Sequence, residues 1–334
     1  MFRYLIGLML VLPAISGTVQ GKGLDEAAVS GFIADMVEKD GFDKKELDVV
    51  FTQAKRSDRI IKAMSRPAEK AKPWYEYRKH FLTKARINGG IEFWRRNADT
   101  LDEAARVYGV PAEIIVAIIG VETAYGKVTG RDRVIDALST LAFHYPKKNE
   151  KRMRFFREQL RQMFLMSREQ QLDPLSLTGS YAGAMGIPQF MPESYRKYAV
   201  DFDDDGRSDI WKDRADAIGS VANYLKAHGW DRGKSIVVSA SGDASTAETL
   251  LTDSVKPHLS LDEFSRRGIE PMSATANTDE LAALFELEAK DSKEYWLALN
   301  NFYVIMRYNP RTKYAMAVVT LAEAIRDARP ESMS

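Results

Sequence analysis

Residues 108–127 read YGVPAEIIVAIIGVETAYGK, and this stretch decides the core of the fold. Pro111 suits the first turn of a helix and Gly126 suits the position just past a helix end, so the segment predicts one helix of about four turns. The run from Ile114 to Val121 is nearly all apolar. Because such a face has to be covered, we expect this helix to be buried.

Glu122 ends the apolar run, where a charged side chain is unexpected. Ile115, Ile118 and Ile119 lie one and two turns before it on the same helix face, so its carboxyl group shares a buried stripe. Burial and the negative end of the helix dipole both disfavour the carboxylate, so both raise the pKa of Glu122. A carboxylic acid that stays protonated near neutral pH can protonate a leaving sugar oxygen. The alternative is an ordinary solvated glutamate at a helix end.

A second segment, residues 179–192, reads GSYAGAMGIPQFMP and follows neither strand alternation nor helical spacing. Its glycines allow the backbone to approach a ligand closely, and Ser180 and Gln189 can hydrogen-bond that ligand. We interpret residues 179–192 as a rigid wall of a binding groove, with Met185 in the same wall. This segment favours the catalytic interpretation of Glu122 over the solvated one.

Together the two segments resemble the lysozyme-like lytic transglycosylases, and within them the lytic murein transglycosylase B family. The resemblance implies a mainly α (α+β) fold, with a lysozyme-like helical core, an extra helical lobe and a small β-containing lobe. It covers most of the chain and runs through PWYEYR, YGVPAEIIVAIIGVETAYGK, AFHYPKK, GSYAGAMGIPQFMPESYRKYAVDFDDDG, DAIGSVANYLKAHGW and RYNPRTKYAMAV, at residues 73–78, 108–127, 142–148, 179–206, 216–230 and 307–318.

The same resemblance implies an enzyme that breaks the β-1,4 bond between N-acetylmuramic acid and N-acetylglucosamine in peptidoglycan and closes a 1,6-anhydro ring. Glu122 would then be the single general acid and base. A hydrolytic muramidase and a non-catalytic, calcium-binding scaffold of the cell wall are the alternatives. Residue by residue, the groove positions of the family fall on Tyr77, Lys147, Lys148, Ser180, Met185, Gln189, Tyr224, Tyr308, Asn309 and Tyr314.

Two of these positions, Lys147 and Lys148, form a basic pair at which the family often has arginine. Lysine lacks the planar fork of arginine, so a bidentate contact to lactyl or peptide carboxylates is one possibility and a solvated loop is the other. The aromatic positions also have two interpretations, a sugar contact or a place in the core, because a single tyrosine or tryptophan is more often part of a core than a platform for sugar.

An acidic segment, residues 201–209, reads DFDDDGRSD and matches the start of a calcium-binding loop, with glycine at position six for the sharp turn. The predicted ligands are three carboxylates and, at position seven, a backbone carbonyl: Asp201, Asp203, Asp205 and Arg207. Lys212 stands at position twelve, where a bidentate glutamate is expected. Asp213 or Asp216 can supply that carboxylate, and the resembled family uses the position of Asp216. We therefore predict structural Ca²⁺, with an acidic surface turn as the alternative.

Charge and composition exclude several other classes of protein. There are 48 basic and 47 acidic side chains, a net charge of +1, which argues against nucleic acid as the main partner. No cysteine is present, so disulfides, thiol catalysis and a lipid anchor on cysteine are excluded. The four histidines lack metal-ligand spacing, and no phosphate loop, dinucleotide fingerprint or nucleophile elbow occurs.

The first residues predict a signal peptide, residues 1–20. Arg3 supplies a positive start, residues 5–15 are apolar, and residues 14–16 have the small-x-small form of a cleavage site. About eleven apolar residues are few for a membrane span, and an uncleaved anchor is the alternative. We expect a soluble periplasmic enzyme whose partner is the glycan strand; membership of cell-wall synthesis complexes stays open.

Hydrophobic periodicity, together with the arrangement that the resemblance implies, divides the mature chain into four parts. Residues 23–100 predict an N-terminal helical lobe and residues 101–230 a catalytic core that includes the calcium loop. Residues 231–306 predict a small β-containing lobe, and residues 307–334 a C-terminal helix that closes the groove, with its helical pattern at 315–328. The segments that favour strands in the β-containing lobe are 236–238, 281–287 and 295–306.

Overall fold

A computed structural model of the chain describes residues 23–65, 72–146, 149–272 and 278–329. The predicted signal peptide and the pair Lys147 and Lys148 lie outside the described residues. Within them the fold is mainly helical with one small antiparallel sheet, which confirms the predicted fold class.

The N-terminal part of the chain is a helical lobe that packs on the core through aromatic rings. Its helices begin at capping side chains such as Asp25, Asp43 and Thr83, which accept hydrogen bonds from first-turn amides. The ring of Phe32 lies 6.0 Å from that of Phe143 in the core. The helices are α1 (Glu26–Asp40), α2 (Lys44–Gln53), α3 (Asp58–Ser65), α4 (Trp74–Tyr77), α5 (Lys84–Arg96) and α6 (Ala98–Tyr108), with a 3-10 turn, Arg78–His80, after α4.

Helix α7 (Ala112–Thr123) lies at the centre of the core, and its residues from Ile114 to Gly120 are all buried. It contacts the helices before it, α5 and α6, and two later helices, α11 and α15. The predicted burial of this apolar run is thus confirmed. The other core helices are α8 (Val134–His144), α9 (Glu150–Glu169), α10 (Pro192–Tyr198), α11 (Arg214–Ala227) and α15 (Thr312–Ala328).

The β-containing lobe is a five-stranded antiparallel sheet in the order β4-β6-β7-β3-β5. Side chains alternate between its faces: Leu284 and Leu297 pack under two short helices, while Phe285 and Ala298 pack against the main core. The strands are β3 (Val237–Ser241), β4 (Leu259–Ser260), β5 (Glu270–Pro271), β6 (Leu281–Glu288) and β7 (Lys293–Ala298), and the two helices are α12 (Ala244–Leu250) and α13 (Leu261–Arg266). A separate two-stranded ladder joins β1 (Asp132–Arg133) to β2 (Thr178–Gly179).

The strand predicted at residues 295–306 is wrong in its second half, because the chain forms helix α14 (Asn300–Tyr308) there. Aromatic and β-branched residues favour strands, but burial decides the outcome. The ring of Phe302 stacks on that of Phe285 at 4.9 Å, and the turn of a helix brings Ile305 to the same buried side. The lobe limit suggested after residue 306 therefore falls inside α14.

The last helix, α15, begins at Thr312, three residues before the predicted start at residue 315. In the described part of the chain no single helix is both long and apolar enough to cross a membrane. Only α6 and α7 taken together reach that length and apolarity, and they are bent by 112° relative to each other.

Candidate active site

Glu122 occupies the last turn of α7, where it is half-buried beside the first turn of α15. The hydroxyl of Tyr314 donates a hydrogen bond of 2.6 Å to its Oε1. Burial raises the pKa of Glu122 to about 7, and the hydrogen bond from Tyr314 opposes part of that rise. A carboxyl group with this pKa can both give and take a proton near neutral pH.

Phenol groups from three separate elements interact electrostatically with this carboxyl group. Tyr314 is 3% exposed, and Tyr308 and Tyr77 are half-buried. Burial is the main cause that raises the pKa of all three tyrosines, and the charge of Glu122 adds to the rise in each. Three of the predicted groove tyrosines therefore lie within electrostatic range of Glu122, although they are up to 237 positions apart in sequence.

Tyr308 and Tyr224 also fix the backbone around the site. The hydroxyl of Tyr308 donates to the carbonyl of Pro188, and that of Tyr224 donates to the carbonyl of Arg307, each at 2.6 Å. Their rings are 4.8 Å apart in an edge-to-face arrangement. Tyr308 thus ties α14 to the glycine-rich wall. Asn309 follows it, half-buried, between α14 and α15.

The glycine-rich wall, residues 179–192, is held by short hydrogen-bonded turns. Ser180 Oγ accepts from the amide of Ala184 at 3.0 Å, so the hydroxyl hydrogen remains for another acceptor. The side-chain amide of Gln189 donates to the carbonyls of Thr129 and Gly186 at 3.0 and 2.9 Å. Within the described residues no donor contacts Gln189 Oε1, so this oxygen can accept a hydrogen bond from a ligand.

Met185 has a different position from Ser180 and Gln189. Its side chain is 0% exposed and belongs to the core, and its backbone exchanges two hydrogen bonds with Phe190 at 2.8 and 3.0 Å. Met185 therefore supports the wall from behind, and its buried position gives no support to a direct sugar contact.

The end of α7 differs from the predicted one. The helix stops at Thr123, and the capping residue in left-handed conformation is Ala124 (φ 51°), not Gly126. Tyr125 (φ 65°) and Gly126 (φ 80°) continue in positive φ. For residues other than glycine this conformation costs about 1–2 kcal/mol each, so the surrounding structure has to hold it. Tyr125 is not among the predicted site residues, although its place in VETAYG was a signal.

Thr123, the residue after Glu122, joins the helix end to the wall. Its hydroxyl donates to the carbonyl of Ile187 at 2.9 Å and accepts from the amide of Gly126 at 3.0 Å. Ile187 in turn donates its amide to the carbonyl of Ile210 at 2.8 Å. The helix end, the wall and the segment after the acidic loop thus form one connected structure.

The acidic loop brings together three of the predicted metal ligands. Carboxylate oxygens of Asp201, Asp203 and Asp216 lie within 4.8 Å of one another. Because Ca²⁺ binds oxygen at about 2.3–2.6 Å, oxygens on opposite sides of one ion would be about 5 Å apart, so this spacing fits calcium. Asp216 is 1% exposed, and burial raises its pKa to about 6. The backbone amides of Phe202 and Asp209 donate to this carboxylate, and a nearby positive charge would further favour its ionised form.

Two other predicted ligands are not part of that cluster. The carboxylate of Asp205 accepts from the amide of Arg207 at 2.9 Å, and its own amide donates to Asp201. Lys212, at position twelve, offers only its backbone amide, which donates to Asp209 at 3.0 Å. The buried Asp216, and not Lys212, supplies the third carboxylate of the cluster.

Comparison with known proteins agrees with this geometry. The Transglycosylase SLT domain matches residues 25–323. The chain is 45% identical over 307 residues to the membrane-bound lytic murein transglycosylase B of Escherichia coli (strain K12), which covers 89% of this chain and 82% of that protein.

Two solved structures are similar along nearly their whole length. The soluble lytic transglycosylase SltB1 of Pseudomonas aeruginosa is 50% identical with a TM-score of 0.84, covering 90% of this chain and 98% of that one. The Escherichia coli lytic transglycosylase Slt35 in complex with calcium is 44% identical with a TM-score of 0.82, covering 94% and 98%. The chain therefore belongs to the Transglycosylase SLT domain family and is a lytic murein transglycosylase, a lyase that acts on peptidoglycan.

Proposed function

We propose that Glu122 is the single general acid and base with which the chain cleaves the β-1,4 bond between N-acetylmuramic acid and N-acetylglucosamine. The observation that carries this proposal is one half-buried carboxyl group with a pKa of about 7, placed between the glycine-rich wall and the tyrosines of α14 and α15. At neutral pH the carboxylic acid is substantially populated, so it is ready to donate a proton.

The reaction balances with this one group. Glu122 gives its proton to the glycosidic oxygen as the bond between that oxygen and C1 breaks. The resulting carboxylate then takes the proton of the muramoyl 6-hydroxyl, whose oxygen bonds to C1 and closes the 1,6-anhydro ring. Glu122 ends protonated, as it began. The N-acetyl group of the substrate would stabilise the positive charge that develops at C1.

The surroundings of Glu122 favour the hydroxyl of the substrate over water. A hydrolytic glycosidase pairs its acid with a second carboxylate about 5 to 10 Å away. Residues 179–192 contain no acidic side chain, and in residues 108–127 the one besides Glu122 is Glu113, at the opposite end of α7. This absence supports a mechanism in which the substrate supplies the nucleophile, and the hydrolytic muramidase is the less favoured alternative.

For substrate binding we propose polar residues of the glycine-rich wall together with the groove positions implied by the family. Ser180 can donate its hydroxyl hydrogen and Gln189 can accept at Oε1, a pair that suits an N-acetyl group or a sugar hydroxyl. Lys147 and Lys148 would meet the lactyl or peptide carboxylates. The remaining proposed groove residues are Tyr77, Tyr224, Tyr308, Asn309 and Tyr314.

We further propose that Asp201, Asp203 and Asp216 hold a structural Ca²⁺ ion, with Asp205 and the Arg207 carbonyl as weaker candidates. The convergence of three carboxylates and the burial of Asp216 support the proposal, as does the calcium complex of the similar Slt35. An ion there would supply fixed positive charge that closes the loop against α11.

The place of action that we propose is the periplasm, after removal of residues 1–20 as a signal peptide. The murein-degrading activity of the family supports this location, and the lack of cysteine supports a form without a lipid anchor. The proposed partner is the peptidoglycan glycan strand.

Digestion of purified peptidoglycan in ¹⁸O-water, followed by mass spectrometry, tests the reaction. We expect products that end in 1,6-anhydromuramic acid without ¹⁸O at C1, because an intramolecular hydroxyl can reach an effective molarity of about 10⁵ M or more. Reducing-end products labelled with ¹⁸O would instead establish the muramidase reaction, with Glu122 still able to act as its acid.

A further inference from the structure

We propose that Tyr125 is a positioning residue for Glu122, which it holds in place through the end of α7 without touching the substrate. The inference rests on the proposed role of Glu122 as the acid. Its evidence is the set of contacts that Tyr125 makes with α5 and with the last turn of α7.

The backbone of Tyr125 closes the helix end in a conformation that needs support. The amide of Tyr125 donates to the carbonyl of Ile119 at 3.3 Å, and that of Ala124 donates to the carbonyl of Gly120 at 3.1 Å. Both residues have positive φ although neither is glycine. Such conformations persist only where side-chain contacts hold them, so the contacts of Tyr125 decide how the last turn of α7 ends.

The ring of Tyr125 is 9% exposed and lies in a space that three glycines leave open. A Cβ atom at Gly89 would lie 2.8 Å from the ring, one at Gly120 would lie 2.7 Å from it, and one at Gly90 would lie 2.8 Å from the hydroxyl. Any larger residue at these positions would displace the ring. Gly89 and Gly90 belong to α5 and Gly120 to α7, so the ring fixes the two helices relative to each other.

Hydrogen bonds through Arg86 connect Tyr125 to Gly120, the two residues that lie on either side of Glu122 in the sequence. The hydroxyl of Tyr125 donates to the carbonyl of Arg86 at 2.7 Å, and the guanidinium group of Arg86 donates to the carbonyl of Gly120. Gly120 lies two residues before Glu122, and Tyr125 lies three residues after it. The only backbone between these two anchored points carries the acid, so a change at the Tyr125 hydroxyl is transmitted to the direction of the Glu122 carboxyl group.

The chain contains a matched tyrosine on which the same change can be made. Tyr195 is 4% exposed, and its hydroxyl donates to the backbone carbonyl of Ser208 at 2.7 Å. It therefore loses the same kind of hydrogen bond as Tyr125 when phenylalanine replaces it. Its bond anchors the acidic loop, at Ser208, instead of the end of α7, so it reports the purely structural cost of the change.

The experiment compares Tyr125→Phe with Tyr195→Phe in melting temperature, kcat, KM and pH profile on soluble glycan fragments. We expect similar losses of melting temperature in both. Tyr125→Phe should lose between about tenfold and a hundredfold in kcat with little change in KM, since small displacements of a catalytic group have effects of this size. The high-pH limb of its pH–activity profile should move to lower pH. The reason is that a less firmly held Glu122 is better hydrated, which lowers the pKa of Glu122.

Equal kcat values and equal pH limbs in the two variants would overturn the inference and leave Tyr125 with a structural role alone. Glu122→Gln is measured in parallel to separate this result from a failure of the proposed function. An inactive Glu122→Gln together with an unaffected Tyr125→Phe contradicts only the positioning role. An active Glu122→Gln would overturn the assignment of the acid and, with it, this inference.

Discussion

The end of α7 and the acidic loop both contain carboxyl groups, but the first holds one isolated carboxyl group and the second holds a cluster of them. At the end of α7 a single glutamate stands among isoleucines and phenols, and burial raises its pKa to about 7. In the loop, three aspartates converge within 4.8 Å of one another. A lone buried carboxyl group tends to keep its proton, whereas a cluster of carboxylates tends to attract a cation. Under the two proposals, the same functional group would serve proton transfer in one region and metal binding in the other.

The two regions are nevertheless connected. Thr123 at the helix end bonds to Ile187 in the wall, and Ile187 bonds to Ile210 just after the acidic loop. The loop can therefore stabilise the wall of the groove without contacting the substrate. The comparison predicts that changes at Glu122 affect the reaction and leave stability nearly intact, while changes in the loop affect stability first.

The largest effect that we expect is the loss of activity in Glu122→Gln. Glutamine has nearly the same shape but cannot deliver a proton, and general acid-base catalysis is worth roughly 10²- to 10⁴-fold. Because one group serves both half-reactions, the loss should lie at the upper end of this range or beyond. Muropeptide release from purified peptidoglycan measures it, with Glu113→Gln at the other end of the same helix as the control.

Retention of more than about a tenth of wild-type activity in Glu122→Gln would contradict the assignment, given the usual size of acid-base catalysis. The melting temperature of the variant should equal or exceed that of the wild type, because an amide is easier to bury than a carboxylate.

The second effect concerns calcium and should appear in stability. At a calcium concentration 100 times the Kd, binding to the folded state alone adds about 2.7 kcal/mol. For a chain of this size we expect a chelator to lower the melting temperature by roughly 5 °C. The double variant Asp201→Ala/Asp205→Ala should have the lower melting temperature from the start, and the chelator should not lower it further.

The exposed pair Asp99 and Asp102, on α6, provides a control of equal charge change: its double alanine variant should keep the full response to calcium. A wild-type protein that shows no shift with chelator would mean that residues 201–209 form only an acidic turn. In all these variants the high-pH limb of the activity profile, which we assign to Glu122, should not shift.

The smallest effect is a shift of the pH profile in Tyr314→Phe. The hydrogen bond from Tyr314 stabilises the carboxylate form and lowers the pKa of Glu122. Its loss should raise that pKa above about 7, so the acid stays protonated to higher pH and the high-pH limb of the activity profile moves upward. The dependence of kcat on pH measures the shift.

Tyr308→Phe is the matched control for this shift, because its hydroxyl donates to the Pro188 carbonyl and not to the acid. A limb that moves downward in Tyr314→Phe, or equally in both variants, would show that the hydrogen bond to Glu122 does not set its pKa.

Much of the site was predictable because the decisive signals are local. An apolar run that ends in glutamate makes that glutamate a candidate for a buried acid, and the spacing of aspartates in residues 201–209 indicates a cation loop. The strand predicted at residues 295–306 failed because its second half depends on packing: Phe302 stacks on Phe285, a partner that local propensity does not include. The side of the wall on which Met185 lies depends on packing in the same way, since a wall has a buried side and an exposed side.

The sequence by itself determined the buried helix α7, the candidate acid at its end, the glycine-rich wall and the acidic loop, because each follows from composition and spacing within a short segment. Only the tertiary structure decided which groups meet. It placed the Tyr314 hydroxyl on Glu122, put Asp216 into the acidic loop, and set the ring of Tyr125 against glycines of two helices. These contacts depend on how distant segments pack, and the free energy of packing is a property of the whole core.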